Sequence, residues 1–208
     1  MIRFDAESLD YEKGKGLVTV VAQDAATGQV LMVAHASREA VEMTMSTGEM
    51  YYTSRKRGLW HKGATSGNRQ KVVSLSADCD RDSILARVIP AGPACHEGTV
   101  SCFGSEGWDA LSDLDQVIRL RADSSAEGNS YTQRLLGDRN LRLKKLGEEA
   151  TELAVACADG DAQRASEEAA DLVYHAMTAL RSIGVGVDSV QRALWLRRSS
   201  LTTPAEGI

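Results

Sequence analysis

Apolar residues follow two different rhythms along the chain. In the first half they come in short runs. Leu17-Val18-Thr19-Val20-Val21-Ala22 and Val30-Leu31-Met32-Val33-Ala34 flank the turn-forming Asp24-Ala25-Ala26-Thr27-Gly28, a pattern that predicts a β-hairpin. Ser37 can cap a helix running to about Thr47, with Gly48 to end it. Met50-Tyr51-Tyr52-Thr53-Ser54, Lys71-Val72-Val73-Ser74-Leu75-Ser76 and Ser83-Ile84-Leu85-Ala86-Arg87-Val88-Ile89 read as strands, the last stopped by Pro90. Between residues 55 and 68 there is no period and there are three glycines, so this stretch reads as a loop.

The second half is helical in period. A helix is expected from Leu111 to Leu120, then a polar connection over residues 123–129. From Leu141 to Ala158, apolar Leu146, Ala150, Leu153, Ala154 and Cys157 recur at steps of three and four, one stripe of a helix ended by Gly160. A second long helix, from Asp161 to Ile183, carries Ala165, Ala169, Leu172, Ala176 and Leu180 on its stripe and ends at Gly184. A third runs from Asp188 to about Arg198, and the residues from about 200 read as a frayed tail. No proline interrupts the chain between Pro93 and Pro204. The change of rhythm falls near Gly104-Ser105-Glu106-Gly107. Two domains are therefore expected: residues 1–104, mixed α+β and rich in strand, and residues 105–208, an all-α bundle.

Composition narrows the class of protein. The chain has 208 residues, 43% of them hydrophobic and 25% charged, which suits two cores and excludes wholesale disorder. No apolar run approaches the roughly 18 residues of a membrane span. The net charge of −5 argues against a nucleic-acid coat. Residues 1–104 carry 12 basic and 12 acidic side chains, residues 105–208 carry 12 and 17, so the acidic excess lies wholly in the helical half. That hints at metal binding or a solvated helical surface. The start, Met1-Ile2-Arg3-Phe4-Asp5-Ala6-Glu7, lacks a secretion pattern, so a cytoplasmic location is expected. Four cysteines in such a chain suggest thiols or metal ligands rather than disulfides.

The chemistry concentrates in four places. If Asp78-Cys79-Asp80-Arg81-Asp82 is extended, Asp78, Asp80 and Asp82 share one face as a hard-oxygen set suited to Mg²⁺, and Cys79 points the other way. A polar surface turn explains the aspartates equally well. Cys79, Cys95 and Cys102, with His96 beside Cys95, could hold one Zn²⁺ with an open fourth position, which makes bound water acidic near neutral pH. Alternatively the thiols are small buried hydrophobes. The stretch Trp60-His61-Lys62-Gly63-Ala64-Thr65-Ser66-Gly67-Asn68-Arg69-Gln70 offers backbone donors, hydroxyls, amides and cations that suit a phosphate, or it is a polar connection. His35 and His61 are candidate proton carriers or structural histidines. On the predicted helices, Glu149 and Glu152 share a face, Glu148 pairs with Glu152 at i, i+4, and Glu168 lies with Asp171. Antiparallel packing would converge both sets on Mg²⁺; otherwise they are solvated faces.

The motifs W-H-K-G-A-T-S-G-N-R-Q, D-C-D-R-D and G-P-A-C-H-E-G-T-V-S-C-F, in that order, resemble phosphoribosyl-AMP cyclohydrolase of histidine biosynthesis. The resemblance implies a homodimer whose N-terminal active sites combine both subunits. It implies Zn²⁺ on Cys79, Cys95 and Cys102 and Mg²⁺ on Asp78, Asp80 and Asp82. Trp60, Lys62, Thr65, Ser66, Gly67, Asn68 and Gln70 would contact substrate, with His61 and His96 catalytic. In the second half, E-E-x-x-E at Glu148 to Glu152 and E-x-x-D at Glu168 to Asp171 resemble the all-α nucleotide pyrophosphohydrolases. Ser130-Tyr131-Thr132, Lys144-Lys145-Leu146-Gly147 and Tyr174-His175 narrow this to phosphoribosyl-ATP pyrophosphatase. The implied roles are Mg²⁺ on Glu148, Glu149, Glu152, Glu168 and Asp171, Glu149 as a candidate base, and phosphate contacts from Lys144, Lys145 and Arg142.

Together the two resemblances match the bifunctional histidine-biosynthesis enzyme. It takes phosphoribosyl-ATP to phosphoribosyl-AMP and pyrophosphate, then opens the adenine ring at N1–C6. Two other readings make different predictions. A zinc deaminase with a helical dimerisation domain would release ammonia, though the H-x-E and P-C-x-x-C signature is missing. A non-catalytic nucleotide- or metal-binding module would bind without turnover.

Overall fold

The structure is a computed structural model that describes residues 4–104 except 55 and 57, residues 109–124 and residues 130–201, with side chains to residue 198. The expected linker after Gly104, most of the 123–129 connection and the end of the tail lie outside the described residues. The chain separates into two compact units, residues 1–105 grouped with residues from 195 onward, and residues 106–194.

In the first unit, β1 (Val18–Asp24) and β2 (Val30–Ala36) form the expected antiparallel hairpin, with Val20 opposite Ala34. Helix α1 (Arg38–Thr47) follows. The Ser37 hydroxyl accepts from the Ala40 amide at its start, and Gly48 ends it at φ 73°, a left-handed conformation that glycine adopts without strain. Next come β3 (Tyr51–Ser54), β4 (Gly58–His61), β5 (Gln70–Ala77) and β6 (Ser83–Pro90). The sheet order is β4-β3-β2-β1-β6-β5, with β1 and β6 parallel and every other pair antiparallel. Strict alternation along β1 sends Val18, Val20 and Ala22 into the core, where they meet Leu31, Tyr52, Ile84 and Val88.

One expectation needs correction, and the choice left open at residues 78–82 is decided for the turn. Residues 58–61 are a strand, not loop, because Leu59 and Trp60 pair with Thr53 and Tyr52 across β3. Residues 78–82 are not extended. They are the hairpin turn between β5 and β6, closed by the Asp78 amide on the Ser83 carbonyl, and Arg81 takes φ 61°.

The second unit is helical: α2 (Ala110–Asp123), α3 (Tyr131–Gly137), α4 (Arg139–Asp159), α5 (Ala162–Arg181) and, as far as Leu194, α6 (Val187–Leu201). Helix α3 was not anticipated as an element. Its start is a reciprocal capping box between Ser130 and Gln133. Gly160, at φ 70°, and the Asp161 cap turn α4 directly into α5. A connection this short forces antiparallel neighbours. Arg181 ties α5 to α2 by paired contacts of 2.9 and 2.8 Å to Asp115. Among the described residues no helix is long and apolar enough to cross a membrane.

Candidate functional site

The first unit carries a cleft of about 480 Å³ lined by Trp60, Lys62, Thr65, Ser66, Asn68, Cys95, His96 and Cys102, among others. The loop after β4 builds one wall. It closes on itself through the Gly67 amide and the Gly63 carbonyl, 2.9 Å apart. Gly63 takes φ 79°, and a Cβ there would overlap the Asn68 carbonyl, so no other residue lets the loop fold this tightly. Lys62 is only 6% exposed, donates to the Ala94 carbonyl at 2.7 Å and lies 5.6 Å from the Trp60 ring. Burial pulls its pKa down, against the opposing pull of Cys102 and Cys95.

The Cys95 thiol is held below its ordinary range by the Glu97 backbone donor and by Thr99. Burial and the neighbouring Cys95 push Cys102 up. The two thiols are close enough to shift one another's titration, and His96 Nδ1 lies 3.9 Å from the Cys95 sulfur. The thiols are not a buried apolar set: Cys79 and Cys102 are exposed and Cys95 half-buried. Cys79 sits apart, in the β5–β6 turn. Among the described residues the three thiols do not converge on one point within a chain.

The same turn gathers Asp78, Asp80 and Asp82, whose oxygens lie within 4.8 Å of one another. The turn therefore does what the extended reading required, by another route. The Lys13 ammonium lies between Asp80 and Asp82, 2.6 Å from Asp82, and holds both carboxyls below their usual range. The ammonium seated there offsets the mutual repulsion of the carboxylates.

Three predicted site residues stand outside the cleft wall. His61, on β4, stacks on Tyr51 at 4.3 Å, and its Nε2 lies 2.7 Å from Glu49. Burial pushes the Glu49 carboxyl up, but the His61 and Arg69 hydrogen bonds outweigh it and bring it down. Gln70 is 1% exposed and accepts from the Tyr52 hydroxyl at 2.7 Å, a core contact. Gly67 shapes the loop, at φ 77°.

The second unit brings Glu149 and Glu152 of α4 against Glu168 of α5, again within 4.8 Å. Glu149 is buried. The charge of Glu168, then burial, raises Glu152 above the usual carboxylate range, which marks a carboxylate set short of positive charge. Lys145 lies 3.3 Å from Glu149 and 3.1 Å from Glu148, and Lys144 lies 3.2 Å from Glu148. Glu148 is thus turned to the lysines, and Asp171 lies one turn along α5 from Glu168, outside the three-carboxylate group. Buried His175 has its Nε2 3.7 Å from Glu149, and burial lowers its pKa. Sequence reasoning missed Lys13 and Glu49, whose partners are distant in the chain. His175 entered only as part of a motif, although its place one turn after Asp171 puts it on the same face.

A family model for phosphoribosyl-AMP cyclohydrolase matches residues 32–104, and one for phosphoribosyl-ATP pyrophosphohydrolase matches residues 111–198. Over 193 residues the chain is 47% identical to the histidine biosynthesis bifunctional protein HisIE of Gloeobacter violaceus, covering 88% of each sequence. It is 40% identical to the protein of the same name from Escherichia coli K12, covering 88% of this chain and 91% of the relative. Against the Bacillus subtilis protein of that name it is also 40% identical, covering 89% and 93%.

Proposed function

Because the chain belongs to the bifunctional histidine-biosynthesis hydrolases that join a phosphoribosyl-AMP cyclohydrolase to a phosphoribosyl-ATP pyrophosphohydrolase, we propose that its units act in reverse chain order on one substrate. The helical unit hydrolyses phosphoribosyl-ATP to phosphoribosyl-AMP and pyrophosphate. The strand-rich unit then adds water across N1–C6 of the adenine and opens the ring. The leaving nitrogen stays in the molecule, so no ammonia is released.

Glu149, Glu152 and Glu168, with Glu148 and Asp171 beside them, would hold Mg²⁺ in the helical unit. Cys95 and Cys102 would hold Zn²⁺, and Asp78, Asp80 and Asp82 a second Mg²⁺. Zinc supplies a water acidic enough to ionise near neutral pH, and magnesium supplies positive charge for phosphate oxygens. Lys144 and Lys145, now paired with glutamates, exchange those partners for phosphate oxygens. Glu149 is the candidate among these carboxylates to take the proton of the attacking water. In the cleft, Trp60 offers a ring face, and Thr65, Ser66 and Asn68 offer hydrogen bonds at the mouth. Lys62 supplies a cation against the thiols. His96, beside Cys95 in the cleft, would carry protons to and from the opening ring, while His61, held by Glu49 outside the cleft wall, would act only from behind it.

Two thiols make an incomplete zinc site. We therefore read the N-terminal site as shared in a homodimer, with Cys79 brought by the second chain. The observation that carries the whole reading is the pair of donor sets, thiols in a cleft of about 480 Å³ and carboxylates across a helical hairpin, each within its own matched family segment. Incubation with phosphoribosyl-ATP, following pyrophosphate, ring-opened product and ammonia together, tests it. Equal yields of the first two without ammonia are expected. Ammonia release, or binding without turnover, would overturn the proposal.

A further inference from the structure

His175 is 4% exposed, and its Nδ1 is a buried nitrogen with no hydrogen-bond partner. Two tyrosines fix the ring edge-on, Tyr131 at 5.9 Å and 89° and Tyr174 at 5.1 Å and 74°. Tyr174 is in turn fixed by its hydroxyl, 2.9 Å from the Thr132 hydroxyl. An orphaned buried nitrogen destabilises a fold, and a phenylalanine would fill this space without that cost. What an imidazole adds is a nitrogen facing Glu149: Nε2 lies 3.7 Å from Oε1, a small carboxylate rotation away from a hydrogen bond. The same Oε1 is 3.3 Å from the Lys145 ammonium.

We propose that His175 is a positioning residue for the pyrophosphohydrolase: its Nε2–H fixes the Glu149 carboxylate against Glu152 and Glu168 and so preorganises the three carboxylates for a divalent cation. This inference rests on the reading that the cluster binds such a cation. The geometry follows from the fold. His175 lies on α5 and Glu149 on α4, and the tight turn at Gly160 sets the two helices side by side. The clamp of Tyr131 and Tyr174 holds the imidazole, so the carboxylate, not the ring, is the part that adjusts. When Lys145 turns to a phosphate, His175 remains to hold Glu149. Partners of this kind, donating to a ligating side chain from behind, typically change metal affinity by roughly 10- to 100-fold when removed.

The test is Mn²⁺ binding by electron paramagnetic resonance on the full-length protein. Every sample carries Asp80→Asn, so that the aspartate turn contributes little. His175→Phe keeps the ring packing and removes both nitrogens. It should weaken Mn²⁺ binding by roughly 10-fold or more, while the metal-free unfolding midpoint stays level or rises. His175→Gln, whose amide can reach where Nε2 stands, should bind Mn²⁺ close to wild type. His175→Asn, one bond shorter, should behave like His175→Phe. Wild-type affinity in His175→Phe, with binding lost in Glu149→Gln, overturns the positioning role alone. Wild-type affinity in Glu149→Gln overturns both the cation reading and this inference. If His175→Phe does not fold, the Gln and Asn variants decide: equal affinities overturn the proposal.

Discussion

Gln70 shows how a motif residue can serve the core instead of the substrate. It is buried, and its amide oxygen is the acceptor for the Tyr52 hydroxyl, itself fully buried. Gln70→Leu would leave that hydroxyl unpaired, a cost of about 1–3 kcal/mol. For a unit of this size that lowers the melting midpoint by roughly 4–8 °C per kcal/mol. Adding Tyr52→Phe should recover most of the loss, and KM for phosphoribosyl-AMP should not change in either variant. A raised KM with unchanged melting would return Gln70 to the substrate. Lys13 makes the opposite case, a functional neighbour that no local pattern reveals. It meets Asp80 from 67 positions away. Only the folded chain brings the two together, so spacing arguments could find the aspartates and not their counter-ion. As that lysine competes with a divalent cation for the same oxygens, Lys13→Met should tighten Mg²⁺ binding at the turn, more so at low ionic strength. Calorimetry showing weaker binding would mean Lys13 supports the site.

Elements bounded by capping chemistry were legible to the residue. Ser37 and Gly48 fixed α1, and Gly160 fixed the break between α4 and α5. Elements made by tertiary pairing were not. β4 spans only Gly58–His61 and holds through its pairing with β3. α3 is too short for periodicity, although Ser130 and Gln133 carried a capping signal. The β5–β6 segment was open between strand and turn because period-2 spacing of aspartates fits both, and the structure takes the turn. Its carboxylates converge anyway. The α4–α5 hairpin carries a testable electrostatic cost. Glu168 and burial raise Glu152, so the folded state binds its proton more tightly than the unfolded chain does. Stability from such a group is present below the unfolded carboxylate pKa and is lost as pH rises through the folded value. Without metal, the helical unit should therefore lose stability as pH climbs from about 4.5 towards neutral, a range that begins at the ordinary carboxylate pKa. Glu152→Gln should flatten that slope. Millimolar Mg²⁺ at pH 7 should raise the midpoint of the wild type more than that of the variant, because ligand binding stabilises in proportion to occupancy. Scanning calorimetry with identical Mg²⁺ shifts in both proteins would remove Glu152 from the cation site.

At the scale of the whole molecule, the turn geometry sets how the proposed shared active site would divide between chains. Cys79 and the three aspartates occupy one turn, so a second chain that brings Cys79 brings the aspartates with it. A Cys79→Ala chain mixed with a Cys95→Ala chain then forms a heterodimer with one site carrying both lesions and one carrying neither. Cyclohydrolase activity should return, at most at one site in two. Cys79→Ala mixed with Asp80→Asn should stay inactive, because each site receives one damaged turn. Recovery in the second mixture and not in the first, with subunit exchange verified by mass spectrometry, would refute this partition. The central claim is that two hydrolases with separate metal-donor sets share one chain. The most direct measurement assays Cys95→Ala and Glu149→Gln side by side on phosphoribosyl-ATP and on supplied phosphoribosyl-AMP. Cys95→Ala should release pyrophosphate at close to the wild-type rate and fail to open the ring. Glu149→Gln should open the ring normally and lose pyrophosphate release by roughly 100-fold or more, the scale of a lost catalytic carboxylate. Loss of both activities in either variant, with the protein still folded, would contradict the account.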